Sequence, residues 1–306
     1  MEINSINASI NFNGYKTSFS KKFENFMKNE TMSVENLSDL QNSLRDVVSR
    51  KMTPKYYMEE GRFNKVYRID DYYVLRLNKD YSHSVRKPMK ISQIAQNLKT
   101  YCGNVIAKFG NVSIVKNAIG NNKDTVSSGI PFELLTASPY KRKLAMIKSL
   151  KTFAKLPQSA YDKVAKDFAE LNKQSKGYGL KFDCYNPNNF IKVGNQIKIV
   201  DDISEGFSRH DCLDMLNVFM KEYKLPMSEN TKKLKRTIFK KCILAASKNN
   251  LAIHPNKMQV LVARLYPNEF FSDFKNNIET LDKLPTSKKE LQFKKYFRDL
   301  DKRWQN

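Results

Sequence analysis

Between Lys181 and Ile203 the chain runs KFDCYNPNNFIKVGNQIKIVDDI, and this stretch leaves little freedom to what surrounds it. An aspartate, Asp183, is followed five residues later by Asn188. Asn189 to Val193 alternates like a strand, Gly194-Asn195 is a tight-turn pair, and Gln196 to Val200 alternates again. A hairpin this short returns the chain to its starting point, so Asp201 is expected beside Asn188. Two carboxylates and an amide then converge, a hard-oxygen set suited to a divalent cation. The same residues also suit an ordinary hairpin with Asp and Asn in its turns.

The flanking sequence fits the first reading. Tyr140 to Lys155 and Ser159 to Lys176 have helical spacing, the second with Val164, Phe168 and Leu171 on one face. Gly177 stops that helix, and Gly179 to Phe182 leads into Asp183 as a short strand. Further upstream the pattern is all strand. Tyr56 to Glu60, Lys65 to Ile69 and Tyr72 to Leu77 form a meander, with Gly61 in its first turn and Asp70-Asp71 in its second. Val105 to Phe109 and Val112 to Val115 add two strands, joined at Gly110-Asn111. Residues 84 to 101 between them are expected to be helical, and residues 33 to 51 form another helix starting at Ser33. Residues 117 to 130 are turn-rich and read as a hinge.

Charge and cysteines bound the function. The 54 Lys and Arg against 31 Asp and Glu give a net charge of +23, so an acidic partner or anionic surface is one expectation. Lys far outnumbers Arg, the usual base and phosphate reader, so compositional bias is the other explanation, and no specific nucleic-acid binding is expected. Cys102, Cys184, Cys212 and Cys242 form no C-x-x-C pair, against a zinc or disulfide framework. The three histidines, His83, His210 and His254, assemble into no Ser/His/Asp or Cys/His pattern. No apolar run reaches membrane-spanning length.

Taken in order, the motifs resemble the protein-kinase-like fold over about residues 55 to 205. Asp183 to Asn188 has the D-x-x-x-x-N spacing of its catalytic loop, and Gly61-Arg62-Phe63-Asn64-Lys65-Val66 resembles the end of its Gly-rich loop, with Asn64 replacing a glycine. Tyr73-Val74-Leu75-Arg76 aligns with V-A-I-K, with Arg76 in place of Lys. No Asp or Glu occurs from Tyr81 to Lys123, so the usual acidic partner of the strand cation is missing. Within the fold the chain looks closest to type III secreted effector kinases of the OspG and NleH kind, with Val200-Asp201-Asp202-Ile203-Ser204 in place of D-F-G.

That resemblance implies an α+β, two-lobed fold: a small antiparallel-sheet N-lobe, a helical C-lobe and a helical C-terminal extension. The implied divisions are a flexible leader of the secretion-signal kind over 1–30, an N-terminal helix and N-lobe over 31–120, a C-lobe over 121–228 and the extension over 229–306. It implies ATP and Mg²⁺ as cofactors, Asp183 as the catalytic base and Asn188 with Asp201 as metal ligands, the spacing favouring Asn188 while the Pro187-Asn188-Asn189 order leaves its neighbour Asn189 open. Gly61, Phe63, Asn64, Val66 and Arg76 would contact the nucleotide. The implied function is a Ser/Thr protein kinase, secreted by a bacterium and acting in the host cytoplasm on a host protein, with a host ubiquitin-conjugating enzyme or ubiquitin as a further partner. A pseudokinase presenting a basic surface is the alternative, and a Lys-rich helical protein on nucleic acid or membrane is a third. In the third reading the Lys232 to Ala246 stripe would lie on an anionic membrane; otherwise it is core with a wet back.

Overall fold

The computed structural model describes residues 54–305, apart from 61–63, 70, 72, 79–96, 104, 110–111, 121, 123, 132–133, 175–178, 202, 207, 222–226 and 267–269. The leader expected over 1–30, the helix expected over 33–51 and residues 84–96 of the helix expected over 84–101, together with Gly61 and Phe63, lie outside the described residues; residues 97–101, the expected end of that helix, are turn and bend leading to an isolated bridge at Tyr101 and not helix. The chain divides into two units. One runs to Lys123 without Leu98–Thr100; the other takes those three residues and everything from Asp124.

The N-terminal unit is a five-stranded antiparallel sheet: β1 (Tyr57–Glu60), β2 (Asn64–Arg68), β3 (Tyr73–Asn78), β4 (Val105–Phe109) and β5 (Val112–Lys116), in the order β1-β2-β3-β5-β4. All five strands fall where the alternation predicts them. β3 is central, and its residues Tyr73 to Arg76 are all buried. Two apolar neighbours, Val74 and Leu75, point to opposite faces and are both covered, so the middle of the sheet is sealed on both sides. The β2–β3 turn is closed by the Ile69 N–H donating to the Tyr73 carbonyl at 3.1 Å and by an Arg68–Asp71 ion pair.

The C-terminal unit is mainly helical. Ser138 caps α1 (Pro139–Lys155) through its hydroxyl, with Pro139 in the first turn, where a missing N–H costs nothing. α2 (Gln158–Gln174) buries Val164, Phe168 and Leu171, as its spacing predicts. The helix α3 (Cys212–Met220) begins with a reciprocal capping box between Asp211 and Asp214. α4 (Glu229–Lys248) packs on α1, α2 and α3. α5 (Gln259–Leu265), α6 (Phe270–Asp282) and α7 (Thr286–Gln305) follow, with α7 also packed on α4. Ile238, Phe239, Cys242 and Ile243 of α4 are fully buried. The Lys232 to Ala246 stripe is therefore core and not a membrane face, and each large apolar side chain there contributes about 1.5–3 kcal/mol. Among the described residues no helix is long and apolar enough to cross a membrane.

Two small sheets complete this unit. β8 (Phe190–Val193) and β9 (Gln196–Ile199) form the expected hairpin, with Gly194 at φ 57° in the turn. β6 (Thr125–Ser127) pairs with β8, so part of the segment expected to be a hinge is a strand. Three residues are too few for alternation to betray a strand; β8 supplies the pairing. β7 (Gly179–Lys181) pairs with β10 (Ser204–Gly206). The class is α+β, an antiparallel sheet followed by helices, in the element order of a kinase-like fold.

Candidate active site

The loop from Phe182 to Asn189 is held by its own side chains. Asp183 Oδ1 accepts from the Tyr185 N–H at 3.0 Å and the Asn186 N–H at 3.3 Å, an Asx turn that leaves the residue exposed. Asn186 then caps a single 3₁₀ turn, Pro187–Asn189, by accepting from the Asn188 N–H at 3.2 Å. The hairpin follows at once. Its base is closed by the Val200 N–H donating to the Asn189 carbonyl at 2.9 Å, which sets Asp201 beside Asn189.

The amide facing Asp201 belongs to Asn189. Its Nδ2 donates to Asp201 Oδ2 at 2.9 Å and to the Asp183 carbonyl at 3.3 Å. Asn188 is turned the other way. It donates to the Ile130 carbonyl at 2.8 Å and accepts from the Ser127 hydroxyl at 3.0 Å, tying the loop to the end of β6. Of the two adjacent asparagines, it is Asn189 and not Asn188 that lies against Asp201. The 3₁₀ turn makes the loop one residue longer than the five-residue spacing assumes. The sequence signal was the strand: Asn189 directly precedes Phe190, the first residue paired with β9.

Asp201 and Asn189 fit a hard cation by residue type, one carboxylate and one carboxamide. In the present arrangement Asn189 Oδ1 accepts from Asn186 Nδ2 at 3.0 Å, so ligation requires the carboxamide to present its oxygen to Asp201 instead of its nitrogen.

A second buried cluster lies behind the loop, and sequence reasoning missed it. His210 immediately precedes the α3 cap and is 2% exposed. Its Nε2 accepts from the Phe182 N–H at 3.0 Å, so the proton sits on Nδ1, which faces Asp214 Oδ2 at 3.2 Å. Asp214 also pairs with Lys181 Nζ at 3.2 Å. The imidazole stacks on Phe168, with centroids 4.0 Å apart. Burial pushes the His210 pKa down and outweighs the pull of Asp214. Burial raises the Asp214 carboxyl, but His210 and Lys181 together bring it below its usual range. Cys184 Sγ lies 4.0 Å from Nδ1, and Cys184, His210 and Asp214 are near enough to suggest a metal centre. Here Nδ1 directs its hydrogen to Asp214, and burial raises the Cys184 thiol well above its usual value. The cluster is a brace on the backbone that introduces Asp183. The findable signal was the i, i+4 spacing of His210 and Asp214 across a helix start.

Asp167 of α2 fixes the neighbouring segment. Its carboxylate accepts from the Lys99 N–H at 3.0 Å, the Thr100 N–H at 2.7 Å and the Thr100 hydroxyl, and the Thr100 carbonyl accepts from Ile199 of β9 at 2.9 Å. Burial raises its pKa despite these bonds.

In the N-terminal unit Asn64 opens β2, and Val66 pairs with Arg76 of β3. Arg76 is only 7% exposed, so it is a buried cation and not a solvent-facing strand residue.

No protein-family model matches the chain, and no curated protein does. Among solved structures it is similar to the aminoglycoside phosphotransferase APH(2'')-Ib with ADP bound, at 12% identity over 81% of this chain and 98% of that one, with a TM-score of 0.33. It is also similar to APH(2'')-IIa in complex with gentamicin, at 13% identity over 86% and 99%, with a TM-score of 0.35. Superposition at this level decides nothing about the chemistry of this chain.

Proposed function

We propose that the chain is an ATP- and Mg²⁺-dependent phosphotransferase. The observation that supports this is one amide, Asn189 Nδ2, bonded both to the Asp183 backbone and to the Asp201 carboxylate. A general base, an amide and a carboxylate on one loop and hairpin are what phosphoryl transfer asks of a protein. Asp183 faces the acceptor hydroxyl and takes its proton. Asn189 and Asp201 would hold the cation, which when bound would supply charge neutralisation on the phosphates. Arg76 is the proposed phosphate-contacting cation of the N-terminal unit, with Gly61, Phe63, Asn64 and Val66 as its nucleotide-facing residues. The finer reading rests on the sequence resemblance: a Ser/Thr protein kinase, secreted by a bacterium and acting on a host protein. A nucleotide-binding module without turnover is the second reading. It is favoured by the absence of any Asp or Glu from Tyr81 to Lys123 in the sequence, where the strand cation's acidic partner is expected.

Thermal unfolding with ATP, with and without Mg²⁺, tests the site. At a ligand concentration about 100-fold above Kd the native state gains about 2.7 kcal/mol, a rise in Tm on the order of 5 °C. The rise is expected only with Mg²⁺ and is lost in Asp201→Asn and Asn189→Ala, while Asn188→Ala keeps it. Retention in Asp201→Asn and Asn189→Ala sinks the assignment. Release of phosphate from ATP separates the two readings: turnover that falls about 10²–10⁴-fold in Asp183→Ala marks the enzyme, and Mg²⁺-dependent binding without turnover marks the module.

A further inference from the structure

Helix α1 has two faces of opposite character. Met146, Leu150 and Phe153 are buried in the core. On the opposite side stand Tyr140, Leu144, Lys148, Lys151 and Lys155, spaced by three or four residues and so on one stripe. All five are exposed, Tyr140 at 70% and Leu144 at 50%. Lys141 is exposed beside Tyr140. Among the described residues the side chains of Lys141, Lys148, Lys151 and Lys155 have no hydrogen bond or ion pair. The sequence from Leu134 to Tyr161 contains no Asp or Glu. Every other described helix of nine or more residues carries at least one. On α7, for example, Glu290 holds Lys294 at 2.7 Å. The lysine excess of the chain is therefore uncompensated on this face. The inner side of the same helix is tied toward the Asp183 loop: the Ser149 hydroxyl donates to the Ser127 carbonyl at 3.0 Å, and the Ser127 hydroxyl donates to Asn188 Oδ1 at 3.0 Å.

We infer that the outer face of α1 docks on an anionic lipid bilayer, with Tyr140 and Leu144 entering the headgroup region and Lys141, Lys148, Lys151 and Lys155 held over acidic lipids. The inference is independent of the phosphotransferase reading. Charge and shape select the occupant. Four unpaired cations along about 22 Å of helix, at about 1.5 Å per residue, attract a negative surface. Lysine is a compact point charge without a planar fork, so it suits headgroups that diffuse to it better than carboxylates or base edges that must be met in register. The apolar tips stand on the outside of a cylinder. A bilayer takes up such tips without a preformed pocket, and tyrosine favours the headgroup level. A nucleic-acid backbone offers Leu144 no apolar partner. A surface held on this face lies on the far side of α1 from Ser149, and so from the loop that Ser127 and Asn188 fix.

Co-sedimentation of the whole chain with vesicles tests this, using phosphatidylcholine alone and phosphatidylcholine with phosphatidylserine. Binding is expected only to the mixed vesicles. A net charge of +23 draws the chain to any anionic surface, so the variants are matched in charge. Lys148→Gln/Lys151→Gln removes two cations from the face. Lys288→Gln/Lys295→Gln removes two exposed, unpaired lysines of α7. At about fivefold per lysine near the surface, the first pair is expected to weaken partition about 30-fold. The second pair acts only through the screened field and is expected to weaken it by about threefold or less. Leu144→Ser leaves the charge unchanged and is expected to weaken partition about tenfold. These positions face solvent, and an unchanged thermal transition shows that each variant is folded. Equal losses in the two double variants overturn the docking face. So does wild-type affinity in Leu144→Ser, or equal binding to vesicles of phosphatidylcholine alone. If Leu144→Ser loses as much affinity for polyglutamate or a DNA duplex as for vesicles, the face serves a soluble polyanion and the bilayer assignment is overturned.

Discussion

At the scale of single residues, the loop is governed by which atoms already have partners. His210 shows this best. Its unprotonated Nε2 holds the Phe182 N–H, and Asp214, Lys181 and the Cys184 thiol face the ring from the other side, with Asp211 nearby. A second proton would set two donors against each other. Burial, above all, lowers the folded pKa from an ordinary value of about 6.5, against the pull of Asp214. Below that value the unfolded chain binds the proton and the folded chain does not, so stability is full above it and is lost as pH falls toward the folded pKa. Urea unfolding is expected to show this loss in wild type and to show less of it in His210→Gln, which still offers Phe182 an acceptor. His210→Leu leaves a buried N–H unpaired and costs about 1–3 kcal/mol at neutral pH. A wild-type stability that is flat across the window, or identical in His210→Gln, contradicts the assigned proton. In the sequence only the i, i+4 spacing of His210 and Asp214 hints at the pair, and nothing there points to Phe182. The contact with Phe182 spans 28 positions and exists only once β7 and α3 are packed.

At the scale of elements, the β8–β9 hairpin was readable and its consequences were not. Alternation and Gly194 located it. Its turn needs a positive φ at Gly194, 57°, which side chains with a Cβ adopt at a cost of roughly 1–2 kcal/mol. Gly194→Ala is expected to destabilise the chain by about that amount, measured by urea unfolding; an unchanged midpoint shows that the turn carries no such strain. The hairpin also recruits β6 on one edge and the Thr100 carbonyl against Ile199 on the other. Neither neighbour has a sequence signature, because a partner strand of two or three residues is chosen by open backbone groups and not by hydrophobic period. That Asn189 and not Asn188 lies against Asp201 is likewise set by the 3₁₀ turn, which spacing alone does not register.

At the scale of the whole molecule, the net charge of +23 dominates. Surface ion pairs such as Lys294–Glu290 at 2.7 Å and Lys248–Asp162 at 2.8 Å each contribute about 0–1 kcal/mol, and salt weakens them. Self-repulsion among a large excess of cations outweighs these pairs, and salt relieves it. Raising NaCl from about 0.01 M to about 0.1 M shortens the screening length from about 30 Å to about 10 Å, so the Tm is expected to rise by a few degrees. A Tm that falls with salt shows that ion pairs outweigh the repulsion.

Sequence alone determined the strands of the N-terminal sheet, the helical faces of α1, α2 and α4, the hairpin, and the positions of Asp183 and Asp201. Each follows from local period or from turn residues, which act over a few neighbours. Tertiary structure decided which asparagine meets Asp201, that Arg76 is buried, that the α4 stripe is core, and that His210 and Asp214 brace the loop. Those outcomes depend on groups far apart in the chain competing for one donor or one buried surface, and no local pattern encodes which of them wins.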